Sequence, residues 1–340
     1  LVLLPGIHFV ARDLASLWPD LADLDESSID AQPLRFRGGV NNWVIQTFLR
    51  LRSSLATYGV VASLGQSFRQ DCINVAHRDS LARLSADYAR YCIVGIRADR
   101  PPLRVTRWEI VQNKVAKRAR WRRYMPLWPQ PGLLRRSPSR GRAIRTIGYF
   151  GRTGACPGWF FDPSFHAALD AIGVEFHVHD PAWHDYSDVD VALSCRIESP
   201  TMLRQKPASK LVNAWLAGVP LLAKPEPAFE ALRRSPLDYL PIAGPQDVIA
   251  AIERLRSDPE LYEAMVANGS RRGEEFTVAE TRERWLDFLV HDVIACATVQ
   301  RNRLAPKHVV GRLLRQKCES RLFKLRAAVE LGVIHAVSRH

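Results

Sequence analysis

Short apolar runs rich in β-branched residues alternate along most of the chain with stretches whose apolar side chains recur every three or four positions. In the first part, strands are read at LVLLP (1–5), VVASL (60–64), INVAH (73–77), CIVGI (92–96), EIVQN (109–113) and YMPLW (124–128). Helices are read between them, notably at 41–59 and 80–91. In the second part the strands are TIGYFG (146–151), VEFHVHD (174–180), VDVALSC (189–195), VPLLAK (219–224) and DYLPIAG (238–244), each beside a helix. Strand–helix alternation predicts parallel sheets covered on both faces. Beyond PQDVIAAIERL (245–255) the pattern is helical only, with a long closing helix at 279–297. In the tail, Val309, Leu313, Leu314, Leu322, Leu325 and Val329 fall near one helix face, and arginines and lysines take much of the rest.

The break between the two α/β halves falls at LWPQPGLLRRSPSRGRAIR (127–145), where prolines, serines and arginines interrupt the pattern. The expected division is an N-terminal domain at 1–135, a linker at 136–145, a second domain at 146–285, and C-terminal helices with a basic tail at 286–340. Two doubly wound, Rossmann-like domains facing across a cleft are the fold this predicts, with ligands at the carboxyl ends of the strands.

Composition agrees with two globular domains: 340 residues, 47% hydrophobic and 24% charged. No apolar run is long enough to span a membrane. The opening residues have no basic region ahead of a short apolar part, so they read as a buried strand rather than a signal peptide. With no initiator methionine, a few residues are expected ahead of Leu1. The six cysteines show no Cys-x-x-Cys spacing and read as free thiols in a reducing, cytoplasmic compartment, where the sequon Asn268-Gly269-Ser270 carries no glycan. The net charge of +13 is uneven: ten Lys/Arg and two Glu fall in 301–340, and six cations in KVAKRARWRR (114–123). Such surfaces attract phosphates of nucleotide, lipid or nucleic acid. For the tail, a solvated helical hairpin on the first domain and a helix on an anionic membrane surface both fit. Nucleic acid is set aside, because no recognised binding module accompanies the charge.

Candidate chemistry concentrates in KPASKLVNAWLAGVPLLAK (206–224). Ser209 is placed to cap a helix whose first amides form an anion site, and Lys210 adds a full charge. A solvated lysine on an ordinary crossover helix is the plainer reading of the same residues. This segment resembles the Lys…Ala-x-Gly-x-Pro segment in the second domain of GT-B glycosyltransferases, of the retaining nucleotide-sugar kind. TIGYFGR resembles the glycine turn that opens that domain, and RGGVNNWVIQTFLRLRSSLATYGVVASL is similar to a first-domain unit of the same enzymes. The resemblance spans about residues 35–290.

What it implies is transfer of a sugar from a nucleotide-diphosphate donor to a saccharide or lipid-linked acceptor, with no cofactor and no metal. Arg152 and Lys210 stabilise the leaving diphosphate in that scheme. Gly38, Gly39 and Gly151 let backbone approach the donor, and Ser209, Arg196 and Asn213 bind it. His77 touches the sugar. The sequence departs from the family at Gln205 and Asn213, which stand where paired glutamates are common, and in TGACPGW, which lacks a lysine after Arg152. Lys206 or Arg196 can substitute for it. On an inverting route Asp13, His77 or Asp79 is the base. Asp188-Val189-Asp190 and His177, His179 and His184 mimic metal motifs, but are read as strand-start and loop residues. A catalytically inactive binding protein at the membrane and a nucleotide-sugar epimerase remain alternatives.

Overall fold

The computed structural model describes residues 6–81, 86–116, 119–296 and 306–337. The chain forms two compact units: Leu1–Leu127 with Ser199–Pro207 and Thr281–His340, and Trp128–Glu198 with Ala208–Glu280. The first boundary falls at the start of the proline-rich segment, after Leu127, and Thr281–His340 groups with the first unit.

The first unit holds a six-stranded parallel sheet in the order β2-β1-β3-β4-β5-β6. Its strands are β1 (Gly6–Val10), β2 (Ala62–Gly65), β3 (Cys72–His77), β4 (Cys92–Ile96), β5 (Trp108–Val111) and β6 (Arg122–Tyr124). The strand expected at 1–5 lies outside the described residues. The one observed follows it, with Ile7, Phe9 and Val10 fully buried. β6 ends on Tyr124, the first residue of the expected YMPLW, because Pro126 and Pro129 have no N–H to give to a ladder. The helix expected over 80–91 is absent among its described residues, which form 3-10 turns at Arg78–Leu81 and Ala86–Arg90. Leu81 and Tyr88 drop from these turns into the same apolar core.

The second unit holds a five-stranded parallel sheet in the order β11-β10-β9-β7-β8. Its strands are β7 (Thr146–Phe150), β8 (Glu175–His179), β9 (Val191–Ser194), β10 (Leu221–Ala223) and β11 (Leu240–Pro241). The main helices of the chain are α1 (Gln46–Thr57), α2 (Pro163–Ala171), α3 (Ser209–Ala217), α4 (Pro245–Ser257), α5 (Pro259–Glu274), α6 (Val278–Leu286) and α7 (Pro306–Val337). α3 stops at Gly218 because that residue adopts φ +74°, a left-handed cap open to glycine, and the chain turns into β10. Its Trp215 packs against Gly269 of α5, where an added Cβ would lie 3.0 Å from the indole. Asn268, the sequon residue, is buried there and donates to Asp238 at 3.0 Å.

In each sheet the chain reverses its winding once, between β1 and β3 and between β7 and β9. Crevices open at the carboxyl ends of strands at such switch points, so two places are singled out before any side chain is considered.

Two arginines of the proline-rich segment, Arg136 and Arg140, are structural. Arg136 and Arg140 both pair with the fully buried carboxylate of Asp190, at 2.7 and 2.6 Å. The amides of Arg145 and Thr146 donate to the same carboxylate at 2.8 and 3.0 Å. Asp190 therefore staples the segment to the start of β9. Burial pushes its carboxyl up, but these hydrogen bonds outweigh burial and hold it below the usual range. Asp190→Ala should cost about 3 kcal/mol or more in denaturant unfolding, since it strands two arginines. The stabilisation from Asp190 is present above the ordinary carboxyl range and fades as pH falls through its depressed value. An unchanged unfolding midpoint in the variant would contradict this role.

Candidate functional site

At the β7/β9 switch point the side chains of the second unit gather around one buried cation. Lys210 sits in the first turn of α3, and its Nζ is fully buried with no hydrogen-bond partner among the described residues. The ammonium lies 3.6 Å from the centroid of the Tyr149 ring, on β7. Gly151 makes room for that ring, because a Cβ there would fall 2.9 Å from the tyrosine oxygen. Beyond β9, Arg196 pairs with Glu226, which lies past the end of β10, and both side chains are buried. The Ser194 hydroxyl at the end of β9 is also buried, without a partner among the described residues. No side chain caps α3: Ala208, not Ser209, holds the N-cap position, and Ser209 is the first helical residue. The opening amides of α3 are thus left to another acceptor.

Burial drives the Lys210 amine well below its ordinary value, and the nearby Arg196 guanidinium adds to the effect. Glu226 and Glu198 oppose it without overcoming it. Burial raises the Glu226 carboxyl in turn, against the pull of Arg196. A desolvated cation with no acceptor is costly, and an arriving anion removes the cost.

At the β1/β3 switch point of the first unit, a cavity of about 140 Å³ is lined by Arg12, Asp13, Trp18, Asn41 and Asp79, among others. Beside it His77, at the end of β3, is 1% exposed. Its Nδ1 accepts the Asp79 amide at 3.2 Å, which assigns the ring proton to Nε2, and Nε2 has no partner among the described residues. Burial lowers its pKa to about 4, so the ring is neutral at physiological pH and presents a donor, not a base. Gly39 faces this ring, and a Cβ there would lie 2.8 Å from Nε2. Gly38 precedes it with φ +91°. Asp79 is clamped by Arg100 at 2.7 Å, and the clamp outweighs burial to keep its carboxyl low. Asp13 is exposed, and no side chain pairs with it among the described residues.

The structure thus brings Lys210, Arg196 and Gly151 together in one unit, and His77 with Gly39 in the other. Arg152 follows Gly151 on an exposed turn. Asn213 is buried and its Oδ1 accepts the Gln130 amide at 3.3 Å, so it secures the chain entering the second unit. Lys206 pairs with Asp99 at 3.2 Å within the first unit. His177 pairs with Glu175, and His179 stacks on Phe150 at 4.5 Å. Among the described residues no group of three His, Cys, Asp or Glu is placed to hold a metal ion. Sequence reasoning missed Tyr149, Ser194 and Glu226. All three stand at or beside the carboxyl ends of strands, which is the signal that could have found them.

Two parallel α/β units with these strand orders define a two-domain fold of the GT-B type. Among solved structures, the chain is similar to HepE of Anabaena in complex with UDP, with TM-score 0.52 and 13% identity over 84% of this chain and 100% of that one. It is similar to the UDP-glucose complex of HepE at the same score and identity, over 99% of that chain. No protein-family model matches the chain. No curated protein matches it either.

Lys210→Met keeps the volume and removes the stranded amine. It should raise stability by about 1–3 kcal/mol near neutral pH. Because the folded amine titrates below the unfolded one, the gain should shrink as pH rises toward the ordinary lysine range, where the unfolded chain also loses its proton. Thermal unfolding at neutral and alkaline pH checks this; a destabilised variant at neutral pH would show that Lys210 already has its partner.

Proposed function

We propose that the protein is a metal-independent glycosyltransferase that moves a sugar from a nucleoside diphosphate donor to a saccharide or lipid-linked acceptor in cell-surface glycan synthesis. The observation that carries this reading is the buried, unpartnered ammonium of Lys210 at a switch-point crevice. In the reaction the bond between the anomeric carbon and the diphosphate oxygen breaks, and the acceptor oxygen bonds to that carbon. Negative charge grows on the leaving diphosphate, and Lys210 supplies the countercharge from a site already emptied of water. Arg152 and Arg196 add positive potential, Glu226 keeps Arg196 in place, and the first amides of α3 offer hydrogen bonds to phosphate oxygens. HepE, which binds UDP and UDP-glucose, makes uridine nucleotides the first donors to test. The six unpaired cysteines suit a cytoplasmic site of action, where nucleotide sugars are made.

On the acceptor side the three candidate bases separate. His77 is a neutral donor suited to a sugar hydroxyl, and Asp79 is held by Arg100. Asp13 keeps an unengaged carboxylate in the cavity, so it takes the proton of the acceptor hydroxyl, and the product is inverted.

The chain also departs from the resembling enzymes at Gln205 and Asn213, and Asn213 is used to hold backbone. That observation favours a protein that binds the donor without turning it over. A panel of nucleoside diphosphates in thermal unfolding, followed by product analysis with nucleotide sugars, separates the readings. Transfer predicts a stabilising nucleotide and a glycosylated acceptor, whereas isomerised donor without acceptor would mark an epimerase. Asp13→Asn should lower kcat by about a hundredfold or more while leaving the donor KM unchanged. Unchanged kcat would mean that the acceptor proton passes to the leaving diphosphate instead.

A further inference from the structure

The described part of the basic tail beyond residue 305 is one long helix, α7 (Pro306–Val337), and not the hairpin its pattern allowed. Its apolar residues divide between two sides. Val309 and Leu313 are buried in the first unit's core with Val10, Leu81, Tyr88 and Ile93. Polar contacts fix the same side further along. Gln316 accepts the Arg104 amide at 2.8 Å, Glu319 pairs with Arg104 at 2.7 Å, and Glu330 accepts from the amide and hydroxyl of Thr201 at 2.7 and 2.9 Å. The rotation of the helix about its axis is therefore set.

The opposite side is uncovered. Val310, Leu314, Leu322, Leu325 and Val329 are 50%, 60%, 64%, 62% and 59% exposed. At 3.6 residues per turn they fall within an arc of about 120°, along roughly 29 Å of helix. Lys317 and Lys324 run along one margin of this stripe, Arg315 and Arg326 along the other, and Arg321 stands within it; all five are exposed. Between 308 and 332 the only carboxylates, Glu319 and Glu330, are held on the packed side. Among the described residues no helix is long and apolar enough to cross a membrane.

We infer that α7 docks the protein flat on an anionic lipid surface, with Leu314, Leu322, Leu325 and Val329 among the acyl chains and Lys317, Arg321 and Lys324 on the headgroups. An apolar stripe edged by cations matches both layers of such a surface, since long basic side chains lay their stems on the apolar zone and keep their charge at the phosphates. A second copy fits worse: Arg315 and Arg326 are paired with Glu319 and Glu330 of their own helix, and the stripe paired with itself would set Lys317, Arg321 and Lys324 against the same three cations. A nucleic acid would use the cations and leave the leucines in water. The inference stands on α7 alone, so it survives or fails independently of sugar transfer.

The test is co-sedimentation of the full chain with vesicles of phosphatidylcholine alone or with about 30% phosphatidylglycerol, an anionic content that gives a substantial surface potential. Binding should be about tenfold tighter or more on the anionic vesicles and should weaken with salt. Leu322→Glu with Leu325→Glu should lower it by about tenfold or more, as should Lys317→Glu with Lys324→Glu. Leu322→Ser with Leu325→Ser is the milder control, and thermal unfolding should be unchanged in all three, since the altered side chains are exposed. Undiminished vesicle binding by the leucine variants would overturn the inference. So would a dimer in sedimentation equilibrium that those variants dissolve, or an RNA oligonucleotide binding that outcompetes vesicles and ignores the leucine changes.

Discussion

A lysine amine held out of water, over an aromatic ring and without a hydrogen-bond partner among the described residues, is the constraint around which the second unit is built. Tyr149 supplies the ring face, which attracts a cation but cannot accept its protons as an oxygen would. Gly151 lets that ring lie flat, Arg196 raises the local potential, and Glu226 returns only part of the charge. Folding alone gains nothing from this arrangement. Under the proposed function it is a preorganised anion site, whose cost is borne before the ligand arrives and recovered when it binds.

The first unit mirrors this with opposite polarity. Its switch-point cavity keeps a carboxylate, Asp13, unengaged, while the neighbouring Asp79 is clamped by Arg100. Burial keeps His77 neutral, and the Asp79 amide fixes its tautomer so that its one free polar atom is a donor. Under the proposed function, the cation of one unit serves the diphosphate donor and the carboxylate of the other serves a hydroxyl acceptor.

Strand–helix alternation made both parallel sheets legible, because each buried strand is a short apolar run that local pattern reveals. Lys210, Gly151 and the Gly218 stop were legible too, since each lies inside one short segment. The partners that define the site were not. Glu226 reaches Arg196 across thirty residues, and Tyr149 meets Lys210 only once β7 and α3 are packed. Ser209 was misread as the cap because a serine before a lysine-led helix looks like one; the backbone places Ala208 there. The tail misled in another way. Leu314 and Leu313 are neighbours in sequence, yet one is exposed and the other buried, and only the packing of Leu313 into the core shows which apolar residues remain outside.

The most direct test of the central claim is calorimetric titration of UDP into the protein at mildly alkaline pH, repeated in buffers of different ionisation enthalpy. If Lys210 waits for a diphosphate, binding restores its charge, so protons are taken up as the complex forms. Lys210→Met should abolish both the proton uptake and most of the affinity. Equal affinity in the variant, or binding with no proton uptake in the parent, would contradict the claim that this buried amine is the diphosphate's partner.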